Sequence, residues 1–382
     1  MPPTRTATHT SPIRRLGTAA AAGCLALLCA GAVAAGAAGG GSSVGVIGVV
    51  AAKGPPGPAP MPLARGDAKT ACIYSHNSIR EMRMIGRRIG RDFRCASVYN
   101  NVGTWAAWTN PWFITTGNLD NRWADWVRAD PGRRRLVIGQ SMIPTEGMPA
   151  DWRRKGARGA YDARIRELSR NLVRAGLGRS VIRLGYEANG DWNADHVGHT
   201  ARDHAHWRAY WARFTRVMNA VPGARFTFDW NLNAAYRDIP LRAIYPGDRA
   251  VDIIGVDVYD ESGRALPAAR SPRRWSAIAA QPGGVRDIVR FARARGKPLS
   301  VPEWGLIHPS GRGGGDNPRF VAAIAALVRN NTVAYQSYFN NDQLEPCLEI
   351  HKQRRAFAAY RAHFGGASAR HAAAGRPTAR RS

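Results

Sequence analysis

The feature that most constrains this chain is its alternation of short apolar runs with amphipathic helical stretches. Apolar runs fall at 71–74, 93–99, 136–143, 181–186, 225–230, 251–259, 299–302 and 333–339. Between them, apolar residues recur at three- and four-residue spacing, which gives a helix one apolar face. Ile79, Met82, Ile85 and Ile89 form one such set, and Tyr161, Ile165, Leu168 and Leu172 another. Trp207, Trp211, Phe214 and Met218 make a third; Val285, Ile288, Val289 and Ala292 a fourth; Phe320, Ile324, Leu327 and Val328 a fifth. Strands separated by helices pair in parallel through right-handed crossovers. Eight such units in about 290 residues predict an α/β chain folded as a (β/α)8 TIM barrel. The alternative is an open doubly wound sheet, but no glycine-rich phosphate loop follows the first strand.

The ends of the chain read differently. Arg5, Arg14 and Arg15 precede a small-residue apolar stretch at 16–38, with Ala32-Val33-Ala34 and Ala35-Gly36-Ala37 as cleavage candidates. This is the pattern of an export signal, so 1–38 is expected to be a signal peptide or N-terminal anchor and the protein secreted or held at the cell surface. A second apolar patch at 44–52 is glycine-broken and short for a membrane span. Residues 39–66 are an apolar and proline-rich linker, 67–364 the barrel, and 365–382 a basic Ala/Gly/Arg-rich tail without core-forming residues. Export permits a disulfide. After signal removal, Cys72, Cys95 and Cys347 allow three pairings. Cys72–Cys95 is preferred, because these two fall on neighbouring strands; three small buried thiols are the alternative.

Lys and Arg outnumber Asp and Glu by 55 to 27, for a formal charge of +28. A basic surface attracts polyphosphate, but here the charge is spread along the chain with no long run. That distribution argues against specific nucleic-acid binding and suits peripheral association with an anionic cell envelope. No nucleophile-elbow signature is present, which argues against acyl transfer. His196, His199, His204 and His206 cluster without a complete ligand set, so no metal is expected there.

Barrel chemistry gathers at the carboxyl ends of strands, and two acids stand there. Glu187 follows the fourth apolar run, in Ser180-Val-Ile-Arg-Leu-Gly-Tyr-Glu187-Ala-Asn-Gly-Asp-Trp192. Glu303 follows the seventh, in Lys297-Pro-Leu-Ser-Val-Pro-Glu303-Trp-Gly305. A charged residue directly after a buried strand is costly unless it is solvated, paired or used. Strands four and seven face each other across a barrel mouth, and two facing carboxyl groups are what glycoside cleavage requires.

In these segments the chain resembles the retaining hydrolases of the four/seven barrel clan, specifically glycoside hydrolase family 26, the β-mannanase family. It looks like a divergent, exported member of actinobacterial type. The resemblance spans 67–364 and rests on Arg183-Leu-Gly-Tyr-Glu187-Ala-Asn-Gly-Asp-Trp192, Tyr245-Pro-Gly-Asp-x3-Val251-Asp-x2-Gly255-Val-Asp257-Val-Tyr259, and Pro302-Glu303-Trp-Gly305. It implies Glu187 as acid/base, Glu303 as nucleophile, and Tyr259 as the phenol that orients the nucleophile. Retaining, endo-type cleavage of a β-linked polysaccharide follows, mannan-like in the first instance, by a monomer that needs no cofactor.

There are two departures from the family pattern. Tyr186 stands where the family has histidine, and the eighth strand ends Ser337-Tyr-Phe-Asn-Asn341 without the usual tryptophan platform. Phe339 or Tyr338 is the candidate replacement. Sugar rings stack on aromatic faces and hydrogen-bond to amides and carboxylates, so Tyr186, Asn189, Trp192, Trp230, Asn231, Asp257, Trp304 and Phe339 are the expected substrate contacts. Trp105, Trp108 and Trp112 are candidates for an extended cleft. Other glycans, such as glucan, xylan or an envelope polymer, remain open as substrates. A non-catalytic carbohydrate-binding barrel is the rival class.

Overall fold

Eight strands are present, in the order the apolar runs predict: β1 (Ala71–Ser75), β2 (Cys95–Tyr99), β3 (Arg135–Gln140), β4 (Val181–Leu184), β5 (Thr227–Asn233), β6 (Ile253–Tyr259), β7 (Leu299–Gly305) and β8 (Val333–Asn340). The structure, a computed structural model, describes residues 71–366 except 235–238, 262–265, 310–312 and 342–346. The expected signal, linker and basic tail lie outside the described residues. Among the described residues, no helix is long and apolar enough to cross a membrane.

Every ladder is parallel, in the order β1-β8-β7-β6-β5-β4-β3-β2, with helices in the connections. The chain is a (β/α)8 barrel. β1 and β2 stand at the two ends of that order, and the Cys72–Cys95 disulfide joins them across the seam. Where backbone hydrogen bonds do not close the barrel, a covalent bond links the neighbouring strands.

Period-two alternation sorts the strand residues into two cores. Outward residues such as Ile138, Ile182, Phe228, Ile254 and Val301 pack under helices whose apolar faces the sequence periodicity marks. The helices Ile79–Ile89 and Asp162–Arg174 bury the residues their spacing selects, including Met82, Ile85, Leu168 and Leu172. Inward residues fill the barrel in layers. Cys72, Cys95, Val137, Val181, Ile253 and Tyr335 form an apolar layer with the disulfide. Beside it lies a polar layer, where Ser97 and Ser337 share a 2.9 Å hydrogen bond and Asp229 accepts from Ser300 and Tyr335 at 2.6 and 2.5 Å. Burial pushes the Asp229 carboxyl above its ordinary range, and the two hydroxyl donors oppose the shift.

Several strand limits differ from the apolar runs, β3 among them by ending at Gln140, and three bear on the site. β5 continues to Asn233, and β7 runs through Glu303 to Gly305. A polar residue pointing into the barrel finds partners there and does not end its strand. β4 instead stops at Leu184, because Gly185 turns into the left-handed region at φ 55°.

Candidate active site

Glu303 lies inside β7, buried, with its carboxylate pointing into the barrel mouth. Three donors converge on it. Tyr99 Oη donates to Oε1 at 2.6 Å, Arg183 Nη2 donates to the same oxygen at 2.8 Å, and Tyr259 Oη donates to Oε2 at 2.8 Å. Its backbone N–H donates to Asp257 Oδ1 at 2.8 Å, which ties β7 to β6. Tyr99 can lie across the barrel because Gly139 on the neighbouring strand has no side chain; a Cβ there would collide with the Tyr99 ring.

Arg183 organises the charges. It is fully buried, and its guanidinium donates to Asp257 at 2.8 Å, Tyr99 Oη at 2.9 Å and Asn231 Oδ1 at 3.3 Å as well as to Glu303. Burial disfavours the charge, but Asp257, Tyr99 and Glu303 outweigh it and hold the guanidinium well above its ordinary value. Asn231 Nδ2 donates to Asp257 Oδ2 at 2.5 Å. One carboxylate oxygen from each of Glu187, Asp257 and Glu303 lies within 4.8 Å of the others. Arg183 already bonds two of these acids, where a cation would otherwise balance the charge.

Glu187 sits two residues beyond the turn at Gly185 and is itself left-handed at φ 48°, a conformation uncommon outside glycine. Local contacts hold it there. Asn189 Nδ2 donates to the Asn233 carbonyl at 2.8 Å, and the Asn233 N–H returns a bond to Asn189 Oδ1 at 2.9 Å, which clamps the loop to the end of β5. Asn233 Nδ2 donates to Glu187 Oε1 at 2.6 Å, and Trp192 Nε1 donates to Oε2 at 2.9 Å. Burial, then the Glu303 charge, push the Glu187 carboxyl up to about 8, against the opposing pull of Asn233, Trp192 and Arg183. The two facing acids therefore differ in surroundings: burial and the Glu303 charge raise the Glu187 carboxyl, whereas the Glu303 side chain is held by three donors.

The other expected contacts separate into three groups. Trp192 is half-buried beside Glu187, and Tyr186 packs edge-on to Tyr99 with the Arg183 guanidinium 5.5 Å from its ring centre. Phe339 stacks on Tyr74 at 4.5 Å and meets Tyr99 and Tyr259 edge-on, lining the mouth next to Glu303. Asn189, Asn231 and Asp257 are buried supports, their polar atoms engaged by backbone or by Arg183.

Trp230 and Trp304 need correction. Each is an outward residue of its strand, packed under the helices and away from the mouth. Trp230 rests on Tyr245 and Phe291, while Trp304 rests on Tyr338, Tyr360 and Phe364 and donates to Gln336 at 2.5 Å. Each neighbours an inward acid or amide by one residue, and period-two alternation sends it to the opposite face. Tyr338 is turned outward likewise and donates to the Leu348 carbonyl. Of the three tryptophans after β2, Trp108 is fully buried, whereas Trp105 and Trp112 stay partly exposed.

Sequence reasoning left three site residues unassigned. Arg183 had a signal: a charge in mid-strand between Ile182 and Leu184. Tyr99 and Asn233 follow only from counting alternate residues along β2 and β5 once the strand limits are known.

No protein-family model matches this chain, and no curated protein sequence does. Solved structures do match. A double mutant of an endo-β-1,4-mannanase from Cellulomonas fimi is 16% identical, over 78% of this chain and 70% of that one, with a TM-score of 0.55. A glycoside hydrolase family 26 β-mannanase from Bacteroides ovatus is 12% identical, over 76% and 86%, with a TM-score of 0.51. A glucosidase from Croceicoccus marinus is 13% identical, over 80% and 68%, with a TM-score of 0.50. At these identities the likeness establishes the barrel fold.

Proposed function

We propose that this protein is a retaining glycoside hydrolase of β-linked polysaccharide, with Glu187 as acid/base and Glu303 as nucleophile. The observation that carries the reading is the pair itself. Two buried carboxyl groups face each other with oxygens within 4.8 Å, one raised to about 8 and the other gripped by two phenols and a guanidinium. A short separation favours direct attack on the anomeric carbon over the wider spacing with which an inverting enzyme places a water. Glu187 protonates the departing oxygen as Glu303 bonds to the sugar. Once Glu303 is esterified its charge is gone, the Glu187 carboxyl becomes more acidic, and Glu187 takes a proton from the incoming water. Tyr259 and Tyr99 steady the nucleophile before attack and release it as its charge disappears.

The family 26 resemblance and the mannanases among the similar folds make β-mannan the first substrate to test. Trp192, which donates to Glu187, and Phe339, which packs on Tyr99 and Tyr259, are the candidate aromatic platforms for the sugar, and this mechanism calls for no cofactor. Hydrolysis by the purified protein across soluble mannans, glucans and xylans tests the reading. Reducing ends released from one of them by the wild type, and none by Glu303→Ala, is the supporting result. A protein that binds a glycan without cleaving any supports the non-catalytic rival. Export, by the basic and apolar N-terminal pattern, belongs to the same reading and is tested by N-terminal sequencing of protein recovered from the medium.

A further inference from the structure

A second convergence of ligands lies apart from the paired acids, where β1 meets its helix and the chain leaves β8. His76 and Asn77, both left-handed at φ 50° and 59°, turn the chain from β1 toward the helix Ile79–Ile89. The His76 Nε2 atom then lies 2.8 Å from Glu349 Oε1 and 3.9 Å from Glu81 Oε1. His351 Nε2 is 3.6 Å from the other Glu349 oxygen. These side chains are 8–18% exposed. Residues far apart in sequence thus meet in a pocket that spacing could not reveal.

We propose that His76, Glu81 and Glu349 form a binding site for a zinc-type divalent cation. Three arguments support the site. First, an imidazole nitrogen and two carboxylates bring one ligand atom each to within 4.8 Å of one another, a donor set that suits a divalent cation. His76 Nε2 makes no well-aligned hydrogen bond despite its 2.8 Å approach to Glu349, which suits a cation better than a shared proton. Second, tetrahedral zinc with bonds of about 2.0–2.2 Å sets its ligands about 3.3–3.6 Å apart, and the His76–carboxylate distances of 2.8 and 3.9 Å lie on either side of that range. Third, neighbouring groups fix the ligands in place, as they commonly do for ligands of bound metals. Asn340 Nδ2 donates to Glu81 Oε1 at 2.6 Å, while Asn340 Oδ1 accepts from the Ile350 N–H at 2.8 Å. Lys352 Nζ, 2.6 Å from Glu349 Oε2, occupies the oxygen turned away from His76. An ion here would staple the segment after β8 to the end of β1, beside the barrel seam.

The test uses tag-free full-length protein, stripped by dialysis against a chelator and titrated with Zn2+ in a calorimeter, with metal content measured in parallel. One Zn2+ per chain, bound with a micromolar or tighter Kd, is expected, with a rise in melting temperature. His76→Ala and the nearly isosteric Glu349→Gln should each weaken binding at least tenfold. His199→Ala and Glu303→Ala should leave it unchanged, which separates this site from the other histidines and from the paired acids. Two results would overturn the proposal: no binding at 100-fold the protein concentration, or binding that survives both His76→Ala and Glu349→Gln.

Discussion

Asn233→Ala is the most informative single substitution, because its effect on the acid has a definite sign. The Asn233 amide donates to Glu187 Oε1 at 2.6 Å and stabilises the ionised carboxylate, pulling against the burial and the Glu303 charge that raise it to about 8. A hydrogen bond to a charged group contributes about 1.5–3 kcal/mol, and one pKa unit corresponds to about 1.4 kcal/mol. Loss of the amide therefore raises the Glu187 carboxyl by about one to two units, toward the smaller figure if water fills the gap. As pH rises, the wild type loses its proton donor through about 8, and the variant should keep its donor to higher pH. The assay is kcat/KM against pH on the substrate found by the polysaccharide panel, since kcat/KM reports the free enzyme's acid and base. Circular dichroism at each pH checks that the fold persists. The alkaline limb should move up by about one unit. A limb that stays in place or moves down would refute the assignment of Glu187 as the acid, or of Asn233 as its partner.

Other substitutions test the supporting structure. Tyr259→Phe removes one donor from Glu303 and should lower kcat by about ten- to a hundredfold with little change in melting temperature; an unchanged kcat would remove Tyr259 from the mechanism. Arg183→Met leaves Asp257 and Glu303 buried without their shared cation, and should cost about 3–5 kcal/mol in urea unfolding. Replacing Cys72 and Cys95 together by Ala opens a link across 23 residues of sequence at the barrel seam. About 3 kcal/mol of stability should be lost, and a reducing agent should lower the wild-type melting temperature but not that of the variant.

How legible the molecule was depends on which physical signal each part leaves in the sequence. The barrel is legible because outward strand residues and helix faces are both apolar, as Ile182, Ile254 and Leu168 are, and their periods differ. Glu187 and Glu303 are legible because a charge beside a buried run is anomalous. Trp230 and Trp304 mislead because nearness to a strand end does not say which face a side chain takes, and one residue reverses it. Tyr99 and Asn233 are hard to see because a tyrosine or asparagine at a strand end is ordinary, and their value comes from Glu303 and Glu187 across the barrel. The grouping of His76 with Glu349 depends on where the first and last strands meet, which only the closed fold supplies.

The account rests on a division of labour between two acids, and azide tests it most directly. An activated aryl glycoside of the sugar found by the panel needs little proton assistance, so Glu187→Ala should still form the glycosyl–Glu303 ester and then stall. Azide needs no base. It should restore turnover of Glu187→Ala and yield a glycosyl azide of retained configuration, while Glu303→Ala is inactive without azide and with it gives at most a glycosyl azide of inverted configuration. Rescue of Glu303→Ala with retention, or an inverted sugar from the wild type, would contradict the account.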